Sequence, residues 1–560
     1  MPSMNRKQFL SSFVYAVEED FRSPFTGEEA VWANPDAPQI WGMEEASIKY
    51  PPSLAEVNEE EDREGEKGKR RARGVTSALS DDERLLAVGL GERVWIISVE
   101  DQCVRSELVG HTDNVGRIRF RPSPTTTSPP TLSAETETAP ETEPKAPHGY
   151  TLLTCANEIS TLSNNEPRIY FWNLTPAGTI LDILPPPLPV HALAKKAEDA
   201  IFTDLVDHYT TSTDPPNPLP FPILPLFEPF RTAIETADRE YRLGLNSSIE
   251  GGFASLSSTP FSPDGKMMAV VRKGRTTQSG EREEGEMPRV VVWDVERRVE
   301  KVVGRCGDSI MWIGWGIGEA AGVLACNGWD GVVRVWDVGG EGEDARLRWQ
   351  TEASGGQNWT AAFSPDGRWL AASEKKGMRV RVYRTQDGEL VREYGRKLGD
   401  WVRNMAWHGE GRWLAFAVEQ EVVVWDVFGG EGKQEKAVTG EKKGPKEKDG
   451  EEEEKNNGKE FSDKELNVAT RFRLQAEGMF RSFSKFQEVT WVDCGRKLLI
   501  RASDGTIELW DAHENKKWRF MKPQGVSELN YSSNAGVYLI RDDSVLLSVD
   551  GDNTVRFWKL

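Results

Sequence analysis

Gly316 to Ala321 reads GIGEAA and matches G-x-G-x-x-A, the pattern with which dinucleotide-binding folds bring a pyrophosphate to a helix N-terminus. That chemistry needs a strand feeding a helix. Here the run lies between two short apolar stretches, IMWIGW and VLACN, so it reads as a turn between strands. FGGEGKQ, beginning at Phe428, has the Gly-Lys of a phosphate loop but lacks the first glycine at the required spacing. Six histidines (111, 148, 192, 208, 408 and 513) show neither HExxH nor another ligand spacing, no G-x-S-x-G elbow occurs, and the histidines read as surface or structural. Five cysteines (103, 155, 306, 326 and 494) include no CxxC and read as reduced strand thiols of an intracellular protein. No catalytic residue, cofactor or metal site is expected. The compact basic run Lys67 to Arg73 reads either as solvated loop charge or as a nuclear-import signal, so the expected location is cytoplasmic or nuclear.

The residues that recur are tryptophans, each at the end of a β-branched run. NGWDGVVRVWDVGG (327–340) holds Trp-Asp twice, and its second copy ends a run too short for a helix. Comparable endings fall at Trp95, Trp172, Trp293-Asp294, Trp336-Asp337, Tyr383, Trp425-Asp426, Trp510-Asp511 and Trp558. From Trp293 the next three marks follow at 43, 47 and 42 residues, and Trp510 precedes Trp558 by 48. A 40–50-residue period with a strand-final Trp-Asp marks four-stranded propeller blades. FSPDG occurs at Phe261 and again at Phe363, with a looser WHGEG at Trp407, each between two apolar strands. The repeating unit is therefore strand a, turn, strand b, Asp-Gly turn, strand c, turn, strand d.

On these motifs the chain resembles the WD40-repeat family from about residue 75 to 560, insertions apart. The resemblance implies an all-β propeller. The family's Gly-His dipeptide occurs once, as Gly110-His111; Asp330 and Asp504 sit in the turns where its partner Asp is expected, but in units without that dipeptide. The family's cullin-ligase adaptors carry Trp-Asp-x-Arg; the corresponding residues here are Glu296, Gly339, Phe428 and His513, so that subclass loses support.

Eight units are countable, starting near Val75, Val115, Phe253, Ile310, Trp359, Val402, Val489 and Val537, with the second and eighth least regular. Eight blades is the literal count, and seven follows if one weak unit is not a blade. Segment 1–74 precedes the propeller (75–560). Its first 55 residues are too apolar for plain disorder and are expected to lie on the blades. Because the last unit stops after strand c at Leu560, ASIKY (46–50) is the candidate ring-closing strand, and 56–74 reads as a charged linker. Within the propeller, 123–147 (Pro/Thr/Glu-rich) and 433–465 (Lys/Glu/Gly-rich) read as disordered loops. Segment 185–248, placed between blades 2 and 3, carries apolar residues at helical spacing and reads as a helical pair. Its Phe227, Phe230, Ile234 and Tyr241 are candidate partner-binding residues, with packing on the neighbouring blades the alternative.

The net charge of −20 argues against a general nucleic-acid surface. No apolar run approaches the ~20 residues that span a bilayer. These readings favour a non-catalytic scaffold that binds other proteins within an intracellular complex, with membrane, small-molecule and nucleic-acid partners disfavoured. The alternatives are a chromatin- or nucleic-acid-associated subunit and, more remotely, an enzyme with its site in the propeller channel. The repeated tryptophans read as strand-c core.

Overall fold

The computed structural model describes residues 17–33, 43–50, 74–111, 114–122, 149–156, 168–181, 248–254, 260–272, 287–295, 299–339, 344–374, 379–394, 400–429, 467–474, 486–502, 506–520, 531–534, 536–541 and 543–560, with Leu256, Arg297 and Leu398. The fold is an all-β propeller of eight blades, each built on antiparallel strands that follow one another in the chain, with N-terminal strands added to some of them. The chain divides into two compact units, one of residues 1–76, 122–130 and 253–560, the other of 77–121 and 131–252.

The first unit holds six sheets. Blade 3 comprises Met267–Arg272, Arg289–Asp294 and Val299–Arg305, and among the described residues its strand a shows a bridge between Phe261 and Met268. Blade 4 is Ile310–Trp315, Val323–Gly328, Arg334–Asp337 and Arg346–Gln350. Blade 5 is Ala361–Phe363, Trp369–Glu374, Arg379–Arg384 and Leu390–Glu393. Blade 6 is Asn404–Trp407, Trp413–Val418, Glu421–Asp426 and Val468–Leu474. Blade 7 is Phe486–Val492, Lys497–Ala502, Ile507–Asp511 and Lys516–Phe520. Blade 8 supplies Val537–Ile540, Val545–Asp550 and Thr554–Lys559. Blade 1 (Gly74–Leu79, Leu85–Leu90, Arg93–Ser98, Cys103–Val109) falls in the second unit from Ser77 onward, as does blade 2 (Val115–Phe120, Tyr150–Ala156, Arg168–Leu174, Ser248–Glu250).

Blade 2 corrects one boundary. Ile249 pairs with Ile169, making Ser248–Glu250 strand d. Segment 185–248 therefore interrupts blade 2 between strands c and d instead of separating blades 2 and 3. A three-residue strand after a long insert carries too little alternation to be read from sequence. The expected helical pair lies outside the described residues apart from Ser248, as do 123–147, 433–465 and Lys67 to Arg73. Among the described residues the only helical turns are Gly318–Ala320 and Asp493–Gly495, and no helix is long and apolar enough to cross a membrane.

The FSPDG signal builds one turn repeatedly. In Ser262-Asp264 and Ser364-Asp366 the serine Oγ donates to the aspartate (2.6 and 2.5 Å) and accepts the N–H five residues from the turn start (2.9 and 3.0 Å). Ser80-Asp82 does the same in blade 1 (2.7 and 3.0 Å) without the Phe or Pro. Short polar side chains that satisfy their own backbone are what fix such a turn. In blade 6 His408 stands at the serine position and accepts the Glu410 N–H through Nδ1 at 3.2 Å.

Strand b is buried on both faces where it packs between neighbouring sheets: Leu85–Leu90 and Trp413–Val418 are wholly buried. Adjacent blades of the first unit share cores, such as Ala371, Val382, Tyr394, Leu414, Phe416 and Trp425 between blades 5 and 6.

Three N-terminal strands cross the outer edges of blades 6, 7 and 8. β1 (Val17–Glu19) adds antiparallel to strand d of blade 6, β2 (Val31–Trp32) adds parallel to strand d of blade 7, and β3 (Met43–Lys49) adds antiparallel to Thr554–Lys559. β3 is thereby the fourth strand of blade 8, beginning at Met43, three residues before the ASIKY segment. Between β1 and β2, the fully buried Phe21 stacks on Phe472 (4.9 Å, 18°) and Trp510 (4.7 Å, 4°). The Arg22 N–H donates to Thr470 Oγ1 at 2.7 Å, and Asn515 Nδ2 donates to the Glu28 and Glu29 carbonyls, both at 3.0 Å. Asp20 pairs with Lys517, whose ammonium lies 4.4 Å from the Trp32 ring centre. Burial and the nearby Arg519 pull Lys517 down to about 8.

A wedge ring held on both faces contributes as a core residue does. Phe21→Ala should cost about 3–5 kcal/mol of unfolding free energy, measured by denaturant unfolding, and deletion of 1–55 should lower Tm further. A loss under ~1 kcal/mol for Phe21→Ala would mean that the strap rides on the blades without bracing them.

Candidate functional site

The strand-c aromatics occupy one structural position. Opposite each stands a strand-b leucine or methionine: Leu152 with Trp172, Met268 with Trp293, Leu324 with Trp336, Leu370 with Tyr383, Leu414 with Trp425, Leu498 with Trp510 and Leu546 with Trp558. Blade 1 departs from the sequence reading. Leu86 faces Ile97, while Trp95 faces Val88 two residues away. The c–d register shift confirms the offset, falling at Ile96/Ile97 as it falls at Val335/Trp336 and Val424/Trp425. Trp95, Trp172, Trp336, Trp425, Trp510 and Trp558 are buried; Trp293 is half-buried.

The following aspartates tie the strand end locally. Asp426 pairs with Arg412 at 2.6 Å and Asp511 with Arg496 at 2.9 Å. Asp294 accepts the Arg297 N–H at 2.9 Å. Asp337 lies between Arg346 and Arg348, and the hydrogen bond from Arg348 leads in holding its carboxyl below the usual range. These groups are spent on their own blades.

Gly110-His111 supports a buried polar chain. His111 Nε2 lies 2.6 Å from Thr154 Oγ1, which accepts the Trp172 indole N–H at 2.8 Å. Sequence spacing missed this cluster, because Thr154 becomes visible only once strand b is registered against strand c. GIGEAA is a single 3-10 turn (Gly318–Ala320) between strands a and b of blade 4, without a helix N-terminus for a pyrophosphate. Among the described residues no three His, Cys, Asp or Glu side chains gather to hold a metal. Phe227, Phe230, Ile234 and Tyr241 lie outside the described residues.

One aromatic cluster does not serve its own strand-c core. Trp329 is in the b–c turn of blade 4, while Trp359 and Trp401 lie in the connectors entering blades 5 and 6. Trp329 and Trp359 are 5.8 Å apart at 58°, Trp359 and Trp401 stack at 4.0 Å and 29°, and Arg403 caps Trp401 at 4.3 Å. Trp329 is 38% exposed, and the other two rings are half-buried. The turn presenting Trp329 is rigid. Gly331 takes φ +72°, and a Cβ on Gly328 would meet the Ser309 carbonyl oxygen at 2.2 Å. Asp330 accepts the Gly307 N–H at 2.8 Å and pairs with Arg334 at 2.7 Å. Buried Asn327, at the end of strand b, donates to the Thr360 carbonyl at 3.0 Å and ties the base of this turn to the connector entering blade 5. Asp308 and Asp400, next to these connectors, add carboxylates. A pre-ordered row of indoles with a polar surround has the composition of a protein-recognition hot spot. The Trp329 signal was present in the sequence as the first Trp-Asp of NGWDG, read there as part of the repeat.

No protein-family profile matches the chain. Human Coronin-7 is 36% identical over 96 residues, 17% of this chain, and the chain spans about a tenth of that relative's length (10%). The crystal structure of Saccharomyces cerevisiae Sqt1 superposes with a TM-score of 0.50 at 7% identity, over 93% of this chain and all of that one. Chaetomium thermophilum Sqt1, solved bound to the N-terminus of ribosomal protein L10, gives a TM-score of 0.47 at 12% identity, over 87% of this chain and 97% of that one. The fold is that of a WD40-repeat β-propeller.

Two measurements check the assignments. Trp336→Ala should destabilise the protein by about 3–5 kcal/mol in denaturant unfolding, whereas Trp329→Ala should cost under ~1 kcal/mol; equal costs would contradict the division between core and surface rings. The second concerns His408, buried between Trp413 (4.9 Å) and Trp491 (4.8 Å). Burial pulls its imidazole below the ordinary value, His513 acts in the same direction and Glu410 opposes. The unfolded chain therefore takes up this proton first as pH falls. Stability from neutral His408 is present above about pH 6.5 and lost as pH falls through the folded pKa. The stability deficit of His408→Gln should shrink between pH 7.5 and 5; a constant deficit would show that folding leaves the proton affinity of this imidazole unchanged.

Proposed function

We propose that this protein is a non-catalytic scaffold that binds another protein within an intracellular complex, through the face carrying Trp329, Trp359, Trp401 and Arg403. The carrying observation is the indole row itself. Three aromatic rings stand together on turns that hydrogen bonds and glycine geometry have already ordered, and one of them keeps more than a third of its surface exposed. Large rigid rings give contact area at low entropic cost, and turns ordered before binding reduce the cost of association. The cation–π contact of Arg403 with Trp401 holds the end of the row. The strand-final Trp-Asp pairs contribute stability and no chemistry. Segment 185–248, with Phe227, Phe230, Ile234 and Tyr241, is proposed as a second, partner-specific element.

Affinity purification of the full-length protein, with quantitative mass spectrometry of what it retains, tests the reading. The double variant Trp329→Ser, Trp401→Ser should keep the wild-type Tm within a few degrees and lose at least about tenfold of a specific partner, in line with hot-spot losses. Phe227→Ser with Phe230→Ser should do the same if the insert recognises a partner. Full retention by the first double variant would overturn the tryptophan face as the binding surface.

A further inference from the structure

Blade 4 carries two thiols where blade 2 carries its imidazole and hydroxyl. His111 and Cys306 each stand four residues before the first residue of strand a, Val115 and Ile310. Thr154 and Cys326 each stand two residues after the leucine facing the strand-c tryptophan. The hydrogen-bonded pair of blade 2 is thus replaced by Cys306 and Cys326, whose sulfurs lie 3.6 Å apart.

We propose that Cys306 and Cys326 form a redox-modifiable dithiol, closed to a disulfide by a peroxide-class oxidant. Three observations support it. The sulfurs must approach by only about 1.5 Å to reach the S–S bond length. The hydrogen bond from Cys326, reinforced by the Arg334 guanidinium, lowers the Cys306 thiol, while burial raises Cys326; nucleophile and resolving thiol are thereby differentiated. Cys306 is itself buried, but it lies in the connector beside exposed Gly307, so local opening at the end of the blade is enough to admit a small oxidant. The Cys306 thiolate attacks one peroxide oxygen, the O–O bond breaks, and the departing hydroxide takes the proton Cys306 gave up, leaving as water with Cys306 as the sulfenic acid. The Cys326 sulfur attacks the sulfenic sulfur, and the released hydroxide takes the Cys326 proton, leaving as a second water. Two thiols are oxidised and one peroxide is reduced. The bond fastens strand b of blade 4 to the connector from blade 3.

The test treats the full-length protein with hydrogen peroxide, quenches it, unfolds it in denaturant, and counts free thiols by alkylation. The count should fall from five to three and return to five with dithiothreitol, and mass spectrometry should find a peptide linked through Cys306 and Cys326. Cys306→Ser should retain all four remaining thiols after the same treatment, whereas Cys326→Ser should lose at most the Cys306 thiol, as a sulfenic acid that dithiothreitol restores, with a Tm near that of the wild type showing that both fold. Five thiols surviving in the wild type, a linkage between other cysteines, or loss of two thiols in either serine variant would overturn the proposal.

Discussion

A blade's outermost strand leaves a row of backbone N–H and C=O groups without partners, and blades 6, 7 and 8 depend on the N-terminal segment to pair them. Strand addition by β1, β2 and β3 answers the hydrogen-bonding demand of three edges with one stretch of chain. Phe21 then converts the strap from a covering into a brace, since its ring is shared by strand d of blade 6 and strand c of blade 7. Asp20, Trp32 and Lys517 form the polar rim of the same contact. Burial beside Arg519 lowers the basicity of the Lys517 ammonium, and Asp20 supplies its counter-charge.

Inside the blades one position is filled by different chemistries. Two residues past the leucine that faces the strand-c aromatic stand Thr154 in blade 2, Cys326 in blade 4, Phe416 in blade 6 and Ser548 in blade 8. The hydroxyls bind an indole N–H, at 2.8 Å from Trp172 and 3.0 Å from Trp558. Phe416 instead packs edge-on to Tyr394, which also meets Trp425. In blade 8 the buried pair Asp550–Arg556, at 2.5 Å, accompanies Ser548. The fold therefore tolerates loss of the Gly-His signature, because a well-packed ring, a thiol pair or an ion pair fills the space as well as the imidazole does.

Much of this was legible in the residues. The period of the strand-final tryptophans gave the blades, FSPDG gave the a–b turn, and ASIKY pointed to an N-terminal partner strand. What was not legible depends on register or on distant contacts. Trp95 looks like the other marks, but pairing puts Ile97 at their position, and only cross-strand alignment separates the two. Ser248–Glu250 is too short to announce itself after its insert. Trp329 hid within the repeat signal that identified the fold, since neither period nor composition says which of two neighbouring tryptophans faces solvent. Phe21 has no local pattern, its role coming from Phe472 and Trp510, several hundred residues away.

The central claim is that the N-terminal strap is part of the native core of the last three blades. Native-state hydrogen exchange with mass spectrometry reads it directly. Peptides covering 17–33 and 43–50 should exchange as slowly as those covering 468–474, 507–520 and 554–559, because their amides open only when the blades they brace do. Rapid exchange across 17–33 and 43–50 while those blade strands stay protected would contradict the account.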